Sequence, residues 1–316
     1  MGHETERSSG IDRDEIDELL NVLDEDATAI SKYASIESNI FEPVVLQRLM
    51  DAAHGDGSHV QRALYAPGTK QLAPYEEQLG ALKFFSDRQV EWSNWFIEKL
   101  IQAGIDRAKV EIFVDAIANE WIDGKKRRQT AESMLAIKAS IKNHDAFFHK
   151  EEAGKYVRNR DVGDAAPLFS EVEMAAIFEA NSAMLEVCIG DYLEMYFGKR
   201  EGSINTTYVR RGVYMTDAPA SPMVEHNYLN SYSLAITLPE VFAQTYSPSN
   251  AGKGMPTIFS APIPAIQSRV VAFAPFIRGM TLSQLEIVVA PPVEPFTLTS
   301  HGIHGEPIGI DEYSYG

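Results

Sequence analysis

Three residues that could bind a metal lie close together near the C-terminal end of the sequence. His301, His304 and Glu306 fall within the hexapeptide HGIHGE. Two imidazoles and a carboxylate can form a facial ligand set around a divalent cation if the backbone curls. Gly302 and Gly305 would permit such a turn, although glycine serves tight turns of every function. We expect no cofactor, with a divalent metal at these three residues as the alternative.

A second short cluster of the same kind lies much earlier in the chain. His54, Asp56 and His59 occur in HGDGSH, within a stretch of residues 54–75 whose glycines and prolines predict a loop with several turns. If this segment met the C-terminal one, the fold would bring four or five ligands together. His144, with Asp145 and His149 beside it in sequence, is a weaker group of the same type, since a histidine on an apolar helix face usually belongs to the core.

The motifs of the common enzyme classes are absent from the sequence. It contains no GxxxxGK[ST] loop for nucleotide phosphates, no GxSxG turn for a nucleophilic serine and no HExxH pair for zinc. No glutamate is followed three residues later by a histidine, as a di-iron helical bundle requires. The single cysteine, Cys188, excludes both an internal disulfide and a cysteine-rich zinc site, and its place on an apolar stripe predicts a packed thiol.

The clearest element is a helix predicted from Ser170 to Phe197. Ser170 and Glu173 form a capping box at its start, and Gly198 follows its end. Its buried side is predicted from apolar residues at helical spacing, namely Met174, Ile177, Phe178, Leu185, Cys188, Tyr192 and Tyr196. Its flank carries an acidic ladder, for which we favour a solvated face over a cation site, formed by Glu171, Glu179, Glu186 and Glu194.

The chain before this helix is also helical in pattern. Spaced apolar residues predict helices over residues 76–104, 106–122 and 130–148, with Trp92 and Trp95 on the core face of the first. The sequence therefore predicts three parts: a helical region with an N-terminal arm over residues 1–169, a central helix over 170–198, and a β-rich region with an extended C-terminal tail over 199–316.

The composition changes near residue 200. Of the 16 prolines, four precede this point, which leaves twelve after it, and lysine and arginine become scarce. The apolar period falls to two, which predicts strands over residues 207–215, 231–238, 257–260, 268–277 and 284–289. We therefore predict an α+β fold, with a helix-rich N-terminal region followed by a Pro-rich, mainly antiparallel β region.

The charge of the chain restricts its partners. A formal net charge of -17 repels polyanions, so we expect no direct binding to nucleic acid. The sequence has no stretch long enough to span a membrane, and its first residues lack the apolar segment of a signal peptide. These features predict a protein of the cytoplasm or of a virion that needs neither membrane nor export.

The sequence favours a structural, self-assembling protein whose partner is a second copy of itself. The absence of catalytic motifs and the weakly charged, Tyr- and Ser-rich β region fit a subunit of a virion, a phage particle or another homomeric shell. Tyr313 and Tyr315, in the closing DEYSYG, would suit an arm that inserts into an adjacent copy. The alternatives are a metal-dependent enzyme that uses His301, His304 and Glu306, and a partner-binding module in the helical half.

Overall fold

A computed structural model describes most of the chain from residue 75 onward. The described residues are 75–121, 131–144, 162, 164–197, 205, 207–215, 217–223, 229–234, 239, 243, 255–280, 282, 285–292, 295–304 and 310–315. Within these ranges, no helix combines the length and the apolar character needed to cross a membrane.

The long helices precede the strands in the described chain. They are α1 (Tyr75–Gln102), α2 (Arg107–Ala116), α3 (Glu132–Asn143) and α4 (Glu171–Phe197), and a π-helical turn (Ile117–Trp121) continues α2. A short helix (Ile263–Ile266) and a 3-10 turn (Gln267–Arg269) follow later, among the strands. Helix α2 begins at Asp106, whose carboxylate accepts a hydrogen bond from the Ala108 amide at 2.9 Å. A side-chain acceptor at this position satisfies an amide that has no partner within the helix.

Helix α4 begins as the sequence predicts. The Ser170 amide donates to the Glu173 carboxylate at 2.8 Å, and the Glu173 amide donates to the Ser170 hydroxyl at 3.3 Å. The capping box is therefore confirmed. The predicted core residues are buried at Met174, Ile177, Phe178, Leu185 and Cys188. Gly198, the predicted end of the helix, lies outside the described residues.

Three details of the helical half differ from the prediction. The helix predicted over 106–122 is α-helical only to Ala116, where the π turn begins. The helix predicted over 130–148 ends at Asn143, because His144 adopts an extended conformation with ψ 105. Trp95 is 37% exposed rather than in the core, and the Lys99 ammonium lies 5.8 Å from its ring centroid.

The second half of the described chain forms a seven-stranded sheet in the order β4-β5-β2-β1-β3-β7-β6. The strands are β1 (Tyr208–Met215), β2 (Asn230–Ser233), β3 (Met255–Pro262), β4 (Val270–Phe273), β5 (Glu286–Val289), β6 (Thr299–His304) and β7 (Ile310–Ser314). Neighbouring strands are antiparallel, except that β3 and β7 run parallel. The predicted α+β fold with a mainly antiparallel sheet is confirmed.

Two predicted strands are shorter than their patterns indicated. Strand β2 ends at Ser233, and the successive residues Tyr232 and Ser233 are both buried, so alternation of buried and exposed positions does not describe it. Strand β4 ends at Phe273, and the next three residues form a 3-10 turn that contains Pro275. Proline has no amide hydrogen for a strand ladder, which accounts for the early end of β4.

Aromatic rings hold the helices against the β4 side of the sheet. The Phe85 ring on α1 meets Phe273 on β4 edge to face, with 5.7 Å between centroids. Phe96 on α1 stacks on Phe276 at 5.9 Å, and Phe276 meets Phe273 at 5.0 Å. Each such pair contributes roughly 0.5–1.5 kcal/mol beyond the area that it buries.

The last described strand is part of the chain's own sheet, where it lies between β3 and β6. Strand β7 pairs with β3, and the Tyr315 ring stacks on Phe296 with 4.1 Å between centroids. The hydroxyl groups of Tyr315 and Tyr232 are 2.5 Å apart. The prediction that Tyr313 and Tyr315 form an arm for a neighbouring copy is therefore wrong, since this stretch is already a strand of the sheet and Tyr315 is buried within it.

Gly212 on β1 marks a close approach between two backbones. A Cβ at this position would lie 1.7 Å from the Pro239 carbonyl oxygen and 2.9 Å from the Ala243 amide nitrogen. Glycine is the residue that leaves room for such an approach. The residue type at position 212 therefore decides whether the backbone at Pro239 can lie against the sheet.

The variant Gly212→Ala should lower the free energy of unfolding by about 3 kcal/mol, because the backbone at Pro239 must move to admit the methyl group. Gly302→Ala is the matched control, since its Cβ meets no atom within 4 Å and only its φ of 76 is unfavourable. The control should lose roughly 1 kcal/mol. Urea unfolding measures both values, and equal losses would contradict the clash at Gly212.

Candidate functional site

The structure describes only part of the predicted metal site. His301 and His304 lie on β6, and Glu306 is outside the described residues, as is the whole His54, Asp56 and His59 cluster. His301 is exposed, and its Nε2 lies 2.7 Å from the Ser314 hydroxyl oxygen. Residues three apart on a strand are separated by about 10 Å along it. The backbone at these two histidines is thus extended rather than curled, and the metal site stays a prediction.

Gly302 lies in a β-bulge rather than in the tight turn that the sequence suggests. The pairing of β6 with β7 shifts between Ser300 and Gly302, and Gly302 has a φ of 76. This is a β-bulge with a glycine in the left-handed region. Among the residues that the structure describes, no three of the His, Cys, Asp and Glu side chains gather as a metal site would require.

The other groups singled out by the sequence lie apart from one another. The four glutamates of the acidic ladder on α4 are all exposed, as a solvated face would be. Cys188 is buried in the core, and burial raises the pKa of its thiol, with the nearby Asp191 carboxylate adding to the effect. His144 lies edge to face against Phe178, while Asp145 and His149 are outside the described residues.

A row of buried polar side chains crosses the sheet from β5 to β7. Strand pairing places them on one face, because opposed residues of neighbouring strands share a face. We call this set the polar row, and it consists of Glu286, Ser233, Arg210, Ser260 and Glu312, all of which are buried. Buried charges are expensive unless they are paired or hydrogen-bonded, so the row requires internal partners.

An ion pair joins two strands of the polar row across a third. The Arg210 Nε on β1 lies 3.6 Å from the Glu312 Oε1 on β7, and each side chain is only 1% exposed. The same carboxylate oxygen accepts a hydrogen bond from the Ser260 hydroxyl on β3 at 2.6 Å. The pair therefore fixes β7, and with it the β6–β7 hairpin, to the middle of the sheet.

The other end of the polar row joins the sheet to the helices. Glu286 on β5 accepts a hydrogen bond at 2.8 Å from the indole Nε1 of Trp121, the last residue of the π turn. Burial raises the pKa of Glu286 above its ordinary value of 4.5, while hydrogen bonds from Ser231 and Trp121 oppose that rise. The raised pKa means that folding shifts the Glu286 carboxyl group toward its neutral form relative to the unfolded chain.

The two edges of the sheet differ sharply in exposure. At β4 every residue is buried, and the Val271 carbonyl accepts a hydrogen bond at 2.8 Å from the Asn181 side chain of α4. Val271 is the extra residue of a bulge in β4. Both edge strands of the sheet carry a bulge, but this edge is also covered by a helix, which is a recognised means of preventing strand addition.

Strand β6 forms the opposite edge, and within the described chain no segment pairs with its outer side. We call this strand the open edge. Its described side chains from Thr299 to Ile303 are all exposed, and Ile303 is 58% exposed. The six residues TSHGIH contain no acidic residue, lysine or arginine. Exposed edges of monomeric proteins usually carry such charges, because a neutral edge is a template for another strand.

The face of the sheet beside the open edge is partly exposed and mixes apolar with polar side chains. Register places Ile303 on the same face as Asp311, Thr257 and Val213, the face opposite to the polar row. Met255 belongs to this face and is 36% exposed, and Val213 is half-buried. Asp311 accepts a hydrogen bond at 2.5 Å from the Tyr313 hydroxyl, and this bond raises the pKa of Tyr313 to about 12. The open edge and this surface form the candidate site.

The sequence pattern missed Arg210, Glu286, Glu312 and Ile303 as residues of interest. A signal was present for the charged ones, because only five lysines and arginines follow residue 200 and a charge inside a strand of that region calls for a partner. The exposure of Ile303 on an edge strand could not be predicted, since one apolar residue between two histidines does not indicate that its strand lies at the edge of a sheet.

Comparison with protein-family models, with curated protein sequences and with solved structures found no significant match to this chain.

Removal of one partner from the buried ion pair should destabilise the protein strongly. Glu312→Ala leaves the Arg210 guanidinium without this carboxylate, which should lower the free energy of unfolding by about 3–5 kcal/mol. The double variant Arg210→Met with Glu312→Ala should lose less stability than the single variants Arg210→Met and Glu312→Ala lose together, because no charge is then buried alone. Chemical denaturation of the four proteins gives the coupling, and strict additivity would show that the two groups do not interact.

The buried Glu286 should make stability depend on pH. The folded state binds the proton more tightly than the unfolded chain, so this stabilising contribution is complete below pH 4.5 and is lost as the pH rises through the raised pKa. Glu286→Gln keeps an acceptor for Trp121 without a charge. The variant should therefore be more stable than the natural protein at pH 8, with a difference that shrinks toward pH 4.

Urea unfolding across this pH range measures the effect. Glu179→Gln, on the exposed ladder of α4, serves as the control and should follow the natural protein. A constant difference between Glu286→Gln and the natural protein at every pH would contradict the assignment.

Proposed function

We propose that this protein is a structural subunit that assembles with further copies of itself into a closed shell, such as a virion or phage particle. The observation that carries the proposal is the open edge. A neutral, exposed edge strand is costly for a protein that stays monomeric, because it can pair with other chains without control. A protein that uses this edge in its assembly has a reason to keep it.

The charge of the chain supports the choice of this edge as a contact. Two copies with a net charge of -17 repel one another over most approaches. Contact between them requires a region without carboxylates, and β6 supplies one. If the shell encloses nucleic acid, other components must neutralise its phosphates, because this acidic chain would repel them.

The buried polar row supports a structural role as well. Its charged groups have protein partners and are enclosed within the sheet, where they tie strands together. Substrate binding would require such groups to reach a cleft. The residues of the row are instead suited to holding the open edge in one position.

The protein should have a mass in solution that is a multiple of the 35.1 kDa chain at micromolar concentration. Raising the ionic strength should increase the assembled fraction, because salt screens the repulsion between acidic copies. Size-exclusion chromatography with light scattering measures the mass, and electron microscopy of the same sample shows whether a shell forms. A single chain of 35.1 kDa at every concentration would refute the proposal. A stoichiometric transition metal that is lost in His301→Ala would favour the metal enzyme instead.

A further inference from the structure

We propose that β6 pairs in antiparallel fashion with β6 of a second copy, so that two seven-stranded sheets become one continuous sheet across a two-fold axis. The inference rests on the proposed function, because it names the contact through which two copies first join. The occupant of the open edge is thus the same strand of another molecule.

Because the β4 edge is covered, β6 is the edge strand through which two copies can pair. The Asn181 side chain of α4 donates a hydrogen bond to the Val271 carbonyl, and every residue of β4 and β5 is buried. A sheet with two open edges could add copies head to tail without limit. This sheet offers one open edge in the part of the chain that the structure describes, so pairing between copies must use the same surface on each, which gives a two-fold interface.

The two-fold axis also fixes the direction of pairing. Hydrogen bonds of an antiparallel pair are perpendicular to the strands and are exchanged equally between opposed residues, whereas those of a parallel pair are slanted. Only the antiparallel pattern is unchanged when the two strands exchange places. The two β6 strands must therefore run in opposite directions.

The bulge indicates where along β6 the axis lies. His301 is the extra residue between the register partners Ser300 and Gly302, so it interrupts the strand near its middle. Regular pairing with β7 resumes at Gly302 and continues through Ile303 to His304. Ile303 is 58% exposed, and its burial against the second copy provides the apolar contact. The axis should accordingly lie close to Ile303.

Charge favours the same position. Two acidic chains can approach only where carboxylates are few, and β6 has none. Asp311, the register partner of Ile303, accepts the Tyr313 hydroxyl hydrogen bond, which engages its carboxylate within its own sheet. An edge without formal charge, in a chain of charge -17, lets the same edge of a second copy approach without direct repulsion between carboxylates.

Oxidative cross-linking tests this contact, because the native thiol does not interfere. Cys188 is buried, and burial raises the pKa of its thiol, so it should not form intermolecular disulfides. The variants Ile303→Cys, Thr299→Cys and Val90→Cys each introduce one exposed thiol, the last on α1. After mild oxidation, Ile303→Cys should yield about tenfold more covalent dimer than Val90→Cys, because only residues near the axis face their own symmetry mates. Thr299→Cys should yield less than Ile303→Cys.

A second experiment places a charge at the open edge. Ile303→Lys should reduce the mass of the assembled protein, since it places two like charges at the two-fold contact, whereas Val90→Lys should leave the mass unchanged. Circular dichroism should show that both variants are folded, as expected for substitutions at exposed positions. The cross-linking experiment does not use this variant, so it still tests the contact if Ile303→Lys fails to fold.

The outcomes separate this inference from the proposed function. If the natural protein assembles, but Ile303→Lys assembles equally and Ile303→Cys cross-links no more than Val90→Cys, the edge contact is wrong and self-assembly stands. If the natural protein remains a single chain at every concentration, both the proposed self-assembly and the β6 contact are refuted. Selective loss of assembly in Ile303→Lys, together with dominant cross-linking at position 303, supports both.

Discussion

A buried ion pair at the centre of the sheet helps to set the position of the open edge. Strand β6 reaches the sheet only through β7 in the strand order, and β7 is held to the centre by the Arg210 and Glu312 pair across β3. Both groups are removed from water, so neither can separate from the other without a large electrostatic cost. The interior of the sheet thus determines the geometry of its most exposed strand, even though no charge appears on that strand itself.

The two edges of the sheet differ because different parts of the chain pack against them. At β4 and β5 the aromatic rings of α1, the Asn181 side chain of α4 and the Trp121 indole all contact the strands. At β6 the described chain provides no such cover. The helical half therefore shares one hydrophobic core with the sheet. It also covers the β4 edge, whereas no helix covers β6 among the residues that the structure describes.

Local features were predictable from the sequence, while features that depend on distant contacts were not. The capping box of Ser170 and Glu173 and the apolar stripe of α4 need only neighbours three or four residues away. The capping box is confirmed, and the stripe is buried from Met174 to Cys188, whereas Tyr192 is half-buried. The early end of β2, the exposure of Trp95 and the burial of Glu286 depend on what packs against each segment. HGIHGE suggested a curled ligand loop because glycine permits many backbones, whereas Gly302 serves a bulge in an edge strand. The parallel pairing of β7 with β3 involves residues far apart in sequence, and no periodicity encodes it.

The π-helical turn from Ile117 to Trp121 has a consequence for how this chain tolerates changes in length. A π turn holds one residue more than an α-helical turn, so the extra residue is absorbed within the turn and the residues after it keep nearly the angle that a shorter α-helix would give them. Deletion of one residue here should therefore restore ordinary α-helical geometry and leave Trp121 facing Glu286. The length of the chain can accordingly differ by one residue at this point while the indole contact between the helices and the sheet is kept.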